Sequence, residues 1–75
     1  MTRYSRRQER LPIAAADIEA ATRWALASVE NTTDPEGWEL LIDPSTDSAD
    51  IIGATAQGLR AFIVRRRYIG TGGTR

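Results

Sequence analysis

Arginine is the residue through which this chain most clearly offers chemistry. Arg65, Arg66 and Arg67 form an unbroken run, preceded at short spacing by Gln57 and Arg60, and the N-terminal stretch adds Arg3, Arg6 and Arg7. A guanidinium stays charged at every ordinary pH and presents a planar fork of donors that fits phosphate, carboxylate and the edge of guanine. Glutamine can bond both polar atoms of an adenine edge, and small apolar groups such as Ala61 and Val64 match a thymine methyl. That mixture suits contact with double-stranded DNA. Catalysis finds less to work with. The chain has no cysteine and no histidine, which excludes thiol chemistry, disulfides and the usual zinc ligands. Asp43, Asp47 and Asp50 lie close in sequence but beside turns, where acids usually serve as caps, and no nucleophile–base pair stands out. The expectation is a non-enzymatic protein with neither a metal nor another cofactor.

For the basic and polar groups to act together they must share one surface. From Ala56 onward Ala56, Leu59, Phe62 and Ile63 recur at the three-and-four spacing of one helix face, which predicts a helix from Ala56 to about Arg67. Its opposite face carries Gln57, Arg60, Ala61, Val64, Arg65 and Tyr68, a surface that a major groove accepts. A shorter helix is predicted around Ala49 to Ile52, ending at Gly53, with Thr55 as N-cap of the helix that follows.

The run Ala49-Asp50-Ile51-Ile52-Gly53-Ala54-Thr55-Ala56-Gln57-Gly58-Leu59, followed by Phe62-Ile63 and the arginines, resembles the helix-turn-helix of MerR-type regulators and of small phage excisionases. In those families an apolar pair precedes a turn glycine, a small residue and a capping Ser or Thr follow, and a leucine stands six residues after the glycine. Gly53, Ala54, Thr55 and Leu59 match that order. Gly58 departs from it, since glycine inside a helix costs about 1 kcal/mol relative to alanine. The resemblance covers the last third of the chain and implies a small transcriptional regulator or excisionase-like factor that places helix 56–67 in a major groove. Gln57 would then read adenine, Arg60 guanine, and Ala61 or Val64 a thymine methyl. Arg65, Arg66 and Arg67, together with Arg3, Arg6 and Arg7, would bond phosphates and set orientation. So small a reader implies a dimer or repeated sites.

The rest of the chain is read as support for that pair. Residues 1–10 lack periodicity and predict a flexible basic arm. An alanine-rich stretch free of glycine predicts a helix from Ile13 to about Glu30, with Pro12 in its first turn and a stripe of Ala14, Ile18, Ala21, Ala25 and Val29 flanked by Trp24 and Leu26. The NTTD cluster at 31–34 ends it. Residues 34–42 admit two readings: a short helix with Asp34 as N-cap and Pro35 at its first position, which the capping residues favour, or a strand in which Trp38, Leu40 and Ile42 alternate with Glu39, Leu41 and Asp43. A strand there would need Leu59 to Ile69 as its partner. Ser45, Thr46 or Asp47 can cap the helix after it, and the glycine-rich 70–75 predicts a flexible tail. The expected fold is therefore all-α: one small three- to four-helix domain over 11–69 with a C-terminal helix-turn-helix-like pair.

The charges sum to zero but are segregated. Residues 1–10 hold four arginines against Glu9, residues 11–50 hold nine acids against Arg23 alone, and residues 51–75 hold five arginines and no acid. Such asymmetry favours a nucleic-acid contact, while the plainer reading has the basic ends neutralise the acidic middle within a dimer. At 75 residues a single core gives only marginal stability, so a homodimer or other oligomer is expected. No stretch has transmembrane length and no signal-peptide core precedes the domain, which points to an intracellular protein without membrane contact. The alternative function is a phage structural, assembly or host-protein-binding factor that docks through the acidic middle around Trp38 and uses Trp24, Phe62 and Ile51-Ile52 for a core and an oligomer seam.

Overall fold

The computed structural model describes residues 8–70. Strand β1 (Glu9–Ala15) leads into helix α1 (Ile18–Glu30), a single 3-10 turn (Pro35–Gly37) precedes strand β2 (Trp38–Pro44), and helix α2 (Ser48–Ala56) is followed by strand β3 (Arg60–Tyr68). The three strands form one sheet in the order β1-β3-β2, and both edge strands run antiparallel to β3. The fold is thus a small α+β domain, which overturns the all-α expectation and its helix-turn-helix pair.

The largest correction concerns residues 56–67. Instead of a recognition helix, Arg60–Tyr68 is the middle strand, paired with β1 from Glu9↔Arg66 to Ala15↔Arg60 and with β2 from Trp38↔Tyr68 to Pro44↔Phe62. Phe62, Ile63, Val64 and Tyr68 are β-branched or aromatic and suit a pleated surface. Two flanking strands also satisfy the backbone of β3 on both sides, a non-local gain that periodicity cannot register. Residues 38–42 likewise take the strand form, with Leu59 to Ile69 supplying the partner. The first helix starts at Ile18 rather than Ile13. Asp17 is its N-cap, with a side chain that accepts from the Ala20 N–H at 2.9 Å, while Pro12 sits in edge strand β1, where a missing N–H is tolerated.

Glycine positions follow the same revision. Gly53 lies inside α2, and Thr55 is a helical residue rather than a cap. Gly58, at φ 74°, is the residue that ends the helix: its N–H donates to Thr55 O and the Leu59 N–H donates to Ala54 O, both at 2.9 Å. That pair of bonds is the Schellman arrangement, which favours glycine at this position. At the other end Asp47 caps α2, accepting from the Asp50 N–H at 3.0 Å.

Opposed residues of an antiparallel sheet share a face. One face carries Leu11, Ile13, Ala15, Leu40, Ile42, Phe62 and Val64, and α1 packs on it through Ala21, Ala25 and Val29. Ala15, Ala21 and Phe62 form the buried centre, with Ile13, Ala20 and Ile42 packed around it. Small alanines let the helix backbone come close, so the core is thin. Among the described residues, Val29, Phe62 and Val64 are the only buried hydrophobic ones larger than alanine. The opposite face carries Arg10, Pro12, Ala14, Ala61, Ile63, Arg65, Arg67, Glu39, Leu41 and Asp43. Helix α2 stands at that side, since Ala49, Asp50, Gly53 and Gln57 share a groove with Pro12 and Ala14.

Candidate functional site

Strand geometry scatters the residues expected to form a DNA-reading surface. Gln57 is exposed at the C-terminus of α2, with its side-chain amide donating to Gly53 O at 3.3 Å. Arg60 is exposed at the start of β3, and Ala61 lies on the open sheet face. Val64 is fully buried beneath α1 and can meet no thymine methyl in this fold. Because successive strand residues point to opposite faces, Arg65 and Arg67 emerge on the open face while Arg66 turns toward α1. Arg3, Arg6 and Arg7 lie outside the described residues, as does the expected tail beyond Gly70; of the expected basic arm, Glu9 and Arg10 belong to β1.

Each member of the arginine run has a carboxylate of its own. Arg65 pairs with Asp43, Arg66 Nε donates to Glu9 Oε1 at 2.5 Å, and Arg67 donates to Glu39 Oε1 at 2.6 Å. The arginine run is therefore met within one molecule by acids of both edge strands, since the central strand lies between them. The two open-face pairs remain partly solvated, and such pairs contribute about 0–1 kcal/mol each. Their main effect is to fix register and neutralise the sheet surface. Arg66 is more enclosed. Its Nη1 donates to Ser28 O at 2.9 Å and its guanidinium carbon lies 4.9 Å from the centre of the Trp38 ring. Trp38 meets the Tyr68 ring edge-on at 5.4 Å, and the Tyr68 hydroxyl donates to Asp34 Oδ2 at 2.7 Å.

An open cleft of about 740 Å³ lies where the open face meets the 44–47 loop and the start of α2. Its lining mixes Arg10 and Arg65 with Asp43, Asp47 and Asp50. Ser45 at its wall is buried and accepts from the Asp47 N–H at 3.1 Å, so its hydroxyl serves the turn. Among the described residues, no group of three or more His, Cys, Asp or Glu is placed to hold a metal ion. No helix among them is long and apolar enough to cross a membrane.

Large apolar side chains are also exposed, on more than one face of the domain. Ile18, Trp24 and Leu26 on α1, Leu41 on the open sheet face, Ile51 and Ile52 on α2, and Ile69 are all exposed, Leu41 at 50% and Ile52 at 69%. Leu41 was legible in principle: Leu40 and Leu41 are adjacent, so a strand must turn one of them outward. Comparison with protein-family models, curated proteins and solved structures gives no match to this chain.

Proposed function

We propose that the chain is a non-enzymatic assembly protein whose fold is completed by association with further copies of itself. One observation carries this reading. Among the described residues, seven large apolar side chains stand exposed, whereas the buried core holds only Val29, Phe62 and Val64 beside its alanines. Covering such groups contributes roughly 25 cal/mol per Å² removed from water, and a domain of this size has little stability to spare without it. Where such groups share one face, the contiguous apolar patch marks an interaction site. The test is thermal unfolding and sedimentation over a roughly 100-fold range of protein concentration. Association predicts a Tm that rises with concentration and a mass above that of the monomer. A monomer with a concentration-independent Tm overturns the reading.

Binding to double-stranded DNA is supported by a different observation: Arg10, Arg23 and Arg60 carry no carboxylate partner among the described residues. Such binding would have to use a docking element other than a helix at 56–67. Its signature is duplex affinity that falls steeply with salt, and absence of binding at low salt removes it.

A further inference from the structure

We propose that the free edge of β2 pairs antiparallel with β2 of a second copy, about a two-fold axis at Leu41 that runs perpendicular to the sheet. This inference rests on the assembly reading and names its surface. Among the described residues, the order β1-β3-β2 leaves two free edges. The β1 edge is blunted by Pro12 in mid-strand, which has no N–H to offer an added strand. The β2 edge has no such guard. Its only proline is its last residue, Pro44, and it carries no arginine. Its acids Glu39 and Asp43 are already neutralised from behind by Arg67 and Arg65. An edge without proline or uncompensated charge is open to strand addition.

Self-complementarity selects the occupant. With Leu41 on the axis, its exposed side chain meets the partner's Leu41 on the open face, and on the other face Leu40 lies opposite the partner's Ile42. Glu39 then lies opposite the partner's Asp43. Arg67 stands behind Glu39 in the same row, whereas Ile63 stands behind Asp43 and Arg65 meets Asp43 diagonally, so each acid of this step enters the seam already ion-paired within its own copy. Moving the axis to Leu40 sets Leu41 against the partner's Glu39 and loses the apolar match. The Leu41 register yields a continuous six-stranded sheet with both α1 helices on one face.

The chain has no cysteine, so disulfide trapping is clean. Directly opposed residues in an antiparallel pair hold their Cβ atoms roughly 4.5–5.5 Å apart, close enough for a disulfide after slight adjustment. Leu41→Cys is expected to give a covalent dimer under mild oxidation several-fold faster than Leu26→Cys or Ile52→Cys. Glu39→Cys mixed with Asp43→Cys should cross-link in the mixture and far less in either alone. Leu26, Glu39, Leu41 and Ile52 are exposed and Asp43 is half-buried, all outside the buried core, and circular dichroism checks the fold of each variant. If the protein associates but Ile52→Cys or Leu26→Cys cross-links as fast as Leu41→Cys, the β2 seam is wrong while the assembly reading stands. If Leu40→Cys replaces Leu41→Cys as the trapping position, the register is overturned. If the protein is monomeric throughout, both readings fall.

Discussion

Arg66 and Trp38 are stacked across the β3–β2 boundary, with the guanidinium carbon 4.9 Å from the ring centre, on the face that α1 covers. The same guanidinium bonds Glu9 on the other edge strand and the Ser28 carbonyl of α1. One side chain thereby links β1, β2 and α1 to the central strand. Replacing Arg66 with alanine is expected to lower stability by about 2–3 kcal/mol, the combined scale of a partly buried cation–π contact and charge-assisted hydrogen bonds. Arg66→Lys should recover less than half, because an ammonium lacks the planar fork that serves Glu9 and Ser28 together. Urea unfolding followed by tryptophan fluorescence measures both; equal stability of wild type and Arg66→Ala would show that the linkage contributes nothing.

Gly37 is needed for space rather than for backbone freedom. A Cβ there would lie 2.5 Å from Asp34 Oδ2 and 2.6 Å from Tyr68 Cε1, the two groups joined by the tyrosine hydrogen bond. Gly37→Ala is expected to cost about 1–3 kcal/mol by forcing that pair apart. Tyr68→Phe removes the same bond from the other side. A double-mutant cycle should therefore show the two changes costing less together than their sum. Strict additivity would mean that the clash is relieved elsewhere.

Two glycines give a test of opposite sign. A Cβ at Gly53 or at Gly58 meets nothing within 4 Å, so only the backbone decides. Gly53 is inside α2, and Gly53→Ala should stabilise by roughly 0.5–1 kcal/mol. Gly58 has a positive φ at the helix end, and Gly58→Ala should destabilise by about 1 kcal/mol, with Asn tolerated better. A helix-turn-helix would give the reverse, since its turn falls at Gly53 and its second helix contains Gly58. Thermal melts of the two alanine variants at one protein concentration distinguish the arrangements.

Local chemistry was readable at several places where a side chain acts on its own backbone neighbours, though residue types do not single out the Asp17 cap and Thr55 reads as a cap while lying inside α2. Asp47 caps α2 from within the DPSTD cluster, the NTTD cluster ends α1, and of the expected stripe Ala21, Ala25 and Val29 face the core, whereas Ile18 is exposed and Ala14 lies in β1. Residues 59–69 were ambiguous because Leu59, Phe62 and Ile63 fit a helix while Phe62, Val64 and Tyr68 fit a strand. Short apolar runs satisfy both periods. The same ambiguity extended the first helix backward over Ile13 and Ala14, where alanine favours a helix but β3 offers a ladder.

Residue types along the chain were enough to establish the segregation of charge, the lack of thiol or imidazole chemistry, the turn clusters at 31–34 and 43–47 and the alanine-rich helix. These depend on composition or on contacts within about one turn. Tertiary structure decided that the arginine run is the middle of a sheet, that its charges are met by Glu9, Asp43 and Glu39, and that Leu41 faces outward. Each of those facts depends on strands brought together from distant parts of the chain. A strand's stability comes from such neighbours rather than from its own sequence, so its partners and faces are settled only when the whole sheet forms.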